Sequence, residues 1–327
     1  MRNLYFLLLS LMATLVLFMI ISFFYKQDSS KKIDLDKPIE VILKSTMGQT
    51  MDFWDVVTRG IEEAAKEFGI QVNISGPKFE KEITRQIAIL NEKIEGKPPF
   101  IVLAATDYKK LSEPVNRAHN QGIPVITLDS GVDSTFPKTF VGTDNIIAGI
   151  KAGEALDRLM KDDIKNEIVI ISHLKETTSA IDREKGVREA LIEENIIGTW
   201  YCDVEEDKAY KIVMDLMKNE KIGGIVALNE VATLGVARAM EDTPVEKRVK
   251  VVGFDNSVRE LTYLEQGLIE ATVVQRPYNM GYLAIKAVAE YLNGDEVEKF
   301  IDTGSVLITK ENMFRREFQE LIFPFSN

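Results

Sequence analysis

From residue 38 onward the chain alternates short apolar runs with amphipathic stretches of helical period, and near its middle the alternation starts again. Runs of Val, Ile and Leu bounded by Gly, Pro or Asp fit strands buried on both faces, and strands alternating with helices build parallel sheets, because parallel neighbours need a crossover. The first five runs are 39–43, 70–74, 100–104, 125–128 and 139–141, with helical spacing at 54–68, 80–95 and 111–121. The second set, 167–171, 199–202, 224–227, 249–254 and 271–274, is interleaved with helical stretches at 146–160, 179–194, 208–218, 230–240 and 257–266. Past Gln275 come one more helical stretch, 278–292, and a strand-like 304–308, too little for a third domain and suited to crossing back. The pattern predicts an α/β body of two Rossmann-like lobes around a cleft. The N-terminal lobe is expected from 38–143 plus 276–304, and the C-terminal lobe from 144–275 plus 305–327.

The chain has 327 residues, of which 45% are hydrophobic, enough for two lobes with substantial cores. Its formal net charge of -11 repels phosphate backbones and argues against nucleic acid as a partner. Residues 4–25 break the pattern, being almost wholly apolar and uncharged, a length that spans a bilayer as a helix. The run ends in Phe23, Phe24, Tyr25 and Lys26 without a small-residue cleavage site, so residues 1–26 are expected to stay as a transmembrane anchor. The single cysteine, Cys202, provides no N-terminal lipid attachment, and the polar residues 27–37 read as a tether.

In open α/β sheets ligands sit beyond the carboxyl ends of strands, so the residues there carry the functional signal. They are Phe53 and Trp54 after the first strand, Asp129 after the fourth, Arg183 near the sixth, and Asn229, Asp255 and Gln275 after later ones. Carboxylates, amides and a guanidinium in one plane, with aromatic rings above and below, match a sugar's hydroxyls and apolar C–H faces. Plainer readings stand beside this one. Asp129 and Asp255 also suit helix caps, Arg183 between Asp182 and Glu184 suits a surface ion pair, and Phe53 and Trp54 suit a core. Asp144 reads as a helix cap at a hinge.

Five stretches carry a resemblance over about 39–308: residues 122–129 (GIPVITLD), 141–145 (VGTDN), 179–186 (SAIDREKG), 227–230 (ALNE) and 251–255 (VVGFD), followed by Gln275. In this order they resemble the type I periplasmic sugar-binding proteins, nearest to those for ribose. The resemblance implies that Asp129, Asn229 and Asp255 hydrogen-bond sugar hydroxyls, that Arg183 forks onto two of them, that Gln275 contacts the ligand near a hinge strand, and that Phe53 and Trp54 stack. Three departures bear on ligand identity. Ser130 stands where the ribose binders carry a second arginine, Met51 lies in a longer first loop where an amide is usual, and Val204 with Glu205 lacks the usual cleft aromatic. The apolar anchor and these departures together resemble membrane-anchored xylose-binding sensor proteins that report to a LytS-type histidine kinase.

The sequence offers no catalytic constellation. Its two histidines, His119 and His173, fall on different units, one in the last turn of a helix and the other in a loop, and make no metal pair. No nucleophile elbow, phosphate-cradling loop or cofactor motif is present in the chain. A repressor with the same two-lobed body needs a basic DNA-binding headpiece where this chain has an apolar run. The expected protein is therefore a non-enzymatic receptor for a small aldose, a pentose such as D-xylose, anchored by one pass in the cell membrane with its lobes outside. Its expected partner is a membrane histidine kinase ectodomain, and the alternative is the permease of a sugar ABC transporter.

Overall fold

The computed structural model describes residues 35–47, 53–161, 167–192 and 195–322. The expected membrane span, most of the tether and Met51 lie outside the described residues, among which no helix is long and apolar enough to cross a membrane. Two six-stranded sheets organise the described residues. The first contains β1 (Ile39–Ile42), β2 (Val72–Ser75), β3 (Ile101–Leu103), β4 (Val125–Leu128), β5 (Phe140–Gly142) and β11 (Phe300–Asp302), in the order β11-β5-β4-β3-β1-β2 and parallel throughout. The second contains β6 (Glu167–Ser172), β7 (Asn195–Tyr201), β8 (Ile222–Ala227), β9 (Lys250–Phe254), β10 (Ala271–Val274) and β12 (Val306–Thr309), in the order β12-β10-β9-β8-β6-β7, with β12 antiparallel to β10.

The strand residues alternate between two cores, as a pleat requires when both faces are covered. In the first sheet Val41 and Leu43 pack with Val57 and Ile61 of α1 (Phe53–Phe68), and with Ala284 and Val288 of a later helix, Pro277–Asn293. On the opposite face Ile42, Ile101 and Leu103 pack with Leu90 of α2 (Ile83–Glu95) and Val115 of α3 (Ser112–Asn120). In the second sheet Ile168 and Ile170 face Ala152 and Leu156 of α4 (Asn145–Met160) and Val187 of α5 (Thr178–Ala190). Val169 and Ile171 face α6 (Glu206–Leu216), α7 (Glu230–Asp242) and α8 (Val258–Gln266). The last helices among the described residues are α9 (Pro277–Asn293), packed on the first sheet, and α10 (Arg316–Ile322).

Both lobes brace their site-bearing helix with a pair of glycines. Between α4 and α5, a Cβ on Gly149 would meet the Arg183 carbonyl at 2.2 Å, and one on Gly186 would meet the Ile146 carbonyl at 2.1 Å. Only backbones without side chains approach so closely, and this contact fixes the height of Arg183 over the sheet. The chain crosses between sheets three times, after β5, after β10 and after β11. The crossings after β5 and β11 are tied together: Thr303 N donates to Gly142 O at 2.9 Å, and Asp302 Oδ1 accepts from Asp144 N at 2.9 Å and Gly304 N at 2.8 Å. Asp144 itself caps α4, accepting from Ile147 N at 3.0 Å, as its position suggests.

The structure differs from the sequence expectation at several ends. The helix expected from 80 begins at Ile83, because Phe79 N donates to the Glu82 carboxylate and Glu82 N returns to the Phe79 carbonyl, closing a turn that holds Glu80 outside the helix. The short β11 and the helix α10 carry too few apolar residues for their periodicity to announce them.

Candidate functional site

The carboxyl ends of strands in both sheets converge on one cavity of about 610 Å³. All seven residues singled out at the strand ends, Phe53, Trp54, Asp129, Arg183, Asn229, Asp255 and Gln275, line it. Asp129 follows β4 with φ 60° and Asp255 follows β9 with φ 79°, both in the left-handed region that non-glycine residues seldom occupy. Such strain, of order 1–3 kcal/mol, persists only where the surroundings over-determine the conformation.

Asp129 is held by an ion pair. Lys44 Nζ lies 2.7 Å from its Oδ2, and both side chains are almost wholly buried. Lys44 also donates to Ser130 Oγ at 2.7 Å and, across the cleft, to Thr177 Oγ1 at 3.2 Å. Ser130 Oγ sits 3.1 Å from Thr177 Oγ1 and 3.1 Å from Ser179 Oγ, so a knot of hydroxyls from both lobes surrounds the lysine. The serine in place of a second arginine thus does not leave the aspartate without a cation. Lys44, from the end of the first strand, supplies the charge, and the hydroxyl of Ser130 makes room for it.

Asp255 is held by neutral donors: Gln275 Nε2 to Oδ1 at 2.7 Å and Glu230 N to Oδ2 at 3.0 Å. It is not the cap of the following helix, a task taken by Ser257 in a capping box with Glu260. Burial raises its pKa, opposed first by the nearby Arg183 guanidinium. Arg183 is buried rather than a surface ion pair. Its Nε donates to Asn145 Oδ1 at 2.8 Å, its Nη1 to the Leu228 carbonyl at 2.7 Å, and its guanidinium lies 4.5 Å from the Phe254 ring centroid. Those two bonds narrow the two-pronged reach expected of it, and Nη2 is the nitrogen they leave. Asn229 spends Oδ1 capping α7 by accepting from Ala232 N at 3.0 Å, which leaves its amide N–H groups as donors. Phe53 and Trp54 meet edge to face with centroids 5.1 Å apart, and Trp54 belongs both to the first lobe's core and to the cavity wall.

Of the wall residues that were not among the seven, three bear most on the chemistry of the site. Lys44 follows a strand that otherwise reads as pure core. Glu80 was assigned to a helix, but it accepts from Trp54 Nε1 at 2.7 Å and lines the cavity, its pKa raised by burial against the pull of Lys44. His173 follows β6 directly, is 3% exposed and also lines the cavity. Burial, then Lys44, then Arg183 push its pKa well below the ordinary value, so its imidazole is neutral. At the mouth Lys81 and Glu205 pair across the cleft at 2.8 Å, and Val204, a β-branched residue with φ 57°, lies on the rim. Deeper cross-lobe bonds run from Tyr108 N to the Glu176 carbonyl at 2.8 Å and from Gly131 N to Thr178 Oγ1 at 2.9 Å, so the lobes are closed on each other. Among the described residues no group of three or more His, Cys, Asp or Glu is placed to hold a metal ion.

Residues 42–296, most of the chain, match the family model described as the periplasmic binding protein domain. The chain belongs to the periplasmic binding protein family. It is 27% identical over 276 residues to the D-allose-binding periplasmic protein of Escherichia coli, covering 79% of this chain and 88% of that one. It is 24% identical over 263 residues to the ribose import binding protein RbsB of Bacillus subtilis, covering 79% and 84%. Among solved structures it is similar to a carbohydrate transporter solute binding protein from Agrobacterium radiobacter in complex with D-arabinose. That match has a TM-score of 0.82 and 33% identity, over 87% of this chain and 98% of the other. It is also similar to a sugar transporter from Clostridium phytofermentans, with a TM-score of 0.77 and 35% identity over 84% and 100%. As a periplasmic binding protein it has the type I α/β architecture of two parallel-sheet lobes, and the relatives are described as binding proteins rather than enzymes.

Proposed function

We propose that the chain is an extracytoplasmic receptor for a small aldose, D-xylose the first candidate, whose lobes close around the sugar and report closure to a membrane histidine kinase. The observation that carries the sugar reading is the convergence of Asp129, Arg183, Asn229, Asp255 and Gln275 on facing walls of one cavity, with Phe53 and Trp54 beside them. The carboxylates accept from ring hydroxyls, Arg183 Nη2 and the Asn229 amide donate to them, and the aromatic pair covers the C–H face. Relatives described as binding D-allose or ribose and structures described with D-arabinose or D-fucose support that class of ligand. A sugar touching both lobes binds the closed state better than the open one and shifts the equilibrium by that difference.

The kinase partner rests on the uncharged apolar run of residues 4–25, which would hold the lobes beside a fixed membrane neighbour, and on the resemblance to anchored xylose sensors. A second reading, the binding component of a sugar ABC transporter, is favoured by relatives named as ribose import binding proteins. A calorimetric panel of pentoses and hexoses tests the ligand, and a chain that binds no monosaccharide would end the sugar reading. Isolation of the full-length protein with its membrane neighbour tests the partner: a histidine kinase is expected, and recovery of a permease alone selects the transporter.

A further inference from the structure

We infer that His173 is a ligand-contacting residue of the C-terminal lobe and accepts a hydrogen bond from one ring hydroxyl of the bound sugar. This rests on the monosaccharide reading above and adds a specificity contact to it. His173 sits at the carboxyl end of β6, on the cavity wall, and its Nδ1 is buried without a hydrogen-bond partner in the protein. Buried polar atoms are rarely left so in a folded protein, and one on the wall of a binding cavity has a ligand as its natural partner. Gln275 Oε1, on the same wall, is likewise buried and unpartnered.

The chemistry of the neighbours decides which role the imidazole takes. The cations close enough to act on it are Lys44 from the first lobe and Arg183 from the second, and both are donors only. Burial first, and then the same cations, keep the imidazole neutral, so one of its ring nitrogens is an acceptor. A sugar hydroxyl accepts and donates at once. One that accepts from Arg183 Nη2 has its own proton to place, and His173 is the neutral acceptor beside that donor. A site built this way discriminates by the presence and orientation of one hydroxyl, because the deoxy sugar or the epimer leaves buried groups unpaired.

The test uses the full chain and, from a calorimetric panel, the monosaccharide it binds most tightly. His173→Ala is expected to weaken that sugar about tenfold. His173→Asn, whose amide places an acceptor near the Nδ1 position, should stay within about threefold of wild type. Across the singly deoxygenated analogues of that sugar, one should bind wild type and His173→Ala equally, since the hydroxyl that His173 reads is already gone. Unchanged affinity in His173→Ala, or an equal loss for every analogue, overturns the inference while leaving the sugar reading intact. A wild-type chain that binds no monosaccharide overturns the reading and the inference together. Should His173→Ala not fold, imidazole ¹⁵N resonances of the wild-type protein decide the matter, with only His119 and His173 to assign. A His173 nitrogen that shifts on sugar addition supports the contact, and one that does not move refutes it.

Discussion

The two lobes place an aspartate at the same point, just past a central strand in the left-handed region of backbone space, and then treat it in opposite ways. In the first lobe Asp129 is paired with Lys44 at 2.7 Å, and the pair reaches the Thr177 hydroxyl of the other lobe. In the second lobe Asp255 has an amide and a backbone N–H as direct partners, and burial raises its pKa despite Arg183 nearby. One wall is held by charge and tied across the cleft, whereas the other is held by neutral bonds within its own lobe. The difference teaches that the second wall is organised without its partner lobe, while part of the first wall's bonding exists only when the lobes meet.

The largest effect should therefore follow from breaking the ion pair. Lys44→Met leaves Asp129 buried without its cation, and the expected cost is about 3–5 kcal/mol in urea denaturation. Adding Asp129→Asn should recover much of it, since the uncompensated charge is then gone. Purely additive losses would show that the pair is incidental to the first wall. Asp255→Asn should behave differently. Its carbonyl can accept from Glu230 N, and a turned Gln275 amide can present the unpartnered Oε1 to the new N–H group. Stability should change by less than about 1 kcal/mol while sugar affinity falls by on the order of 2 kcal/mol in calorimetry, because a ligand hydroxyl loses a charged acceptor. A stability loss as large as that of Lys44→Met would erase the contrast between the walls.

The same contrast explains what the sequence revealed. Strand-end positions are legible because apolar runs end abruptly, so Asp129, Asn229, Asp255 and Gln275 could be read off directly. Arg183 was legible through its motif. Lys44 was not, because a lysine two residues past β1 looks like the start of a solvated loop until the second lobe closes over it. Glu80 was hidden by the turn that Glu82 closes against Phe79, a side-chain event invisible to helical periodicity. His173 was hidden because a lone histidine after a strand has no pattern, and only its burial beside two cations gives it meaning. The presence of two parallel-sheet lobes followed from alternation alone, whereas β11 depended on pairing with β5, more than a hundred residues away.

A smaller effect probes the second lobe's tolerance of buried carboxylates. Glu260 is fully buried, has Oε1 without a partner, and has its pKa raised well above the usual value by burial and then by Glu230 and Asp255. The folded chain thus holds a proton that the unfolded chain has released above its value of 4.5. Its contribution to stability is fully present below pH 4.5 and is lost as pH rises through the folded pKa. His173, shifted down, acts oppositely: its contribution is present above pH 6.5 and is lost as pH falls through the folded pKa. Glu260→Gln keeps the acceptor of the capping box without the charge. It should match wild type near pH 4.5 and exceed it at pH 8 by about 2 °C in thermal midpoint. Equal midpoints at both pH values would show that the buried carboxylate is ionised at no cost.

The smallest effect is expected where the two lobes touch at the surface. Lys81 and Glu205 meet across the mouth at 2.8 Å, a shorter approach than several of the buried contacts, yet both side chains are about half exposed. Glu205 raises the Lys81 pKa, first through their hydrogen bond, but water and salt screen an exposed pair and leave it little net strength. Lys81→Ala should leave the thermal midpoint within about 1 °C of wild type, with any loss of sugar affinity disappearing as salt is raised. If Lys81→Ala instead matched Lys44→Met, the lobes would be held at the mouth and not at the hydroxyl knot around Lys44. The first wall would then owe its closure to the surface rather than to the buried pair. A small, salt-sensitive effect places the cross-lobe grip where water is excluded, at Lys44, Ser130, Thr177 and Ser179.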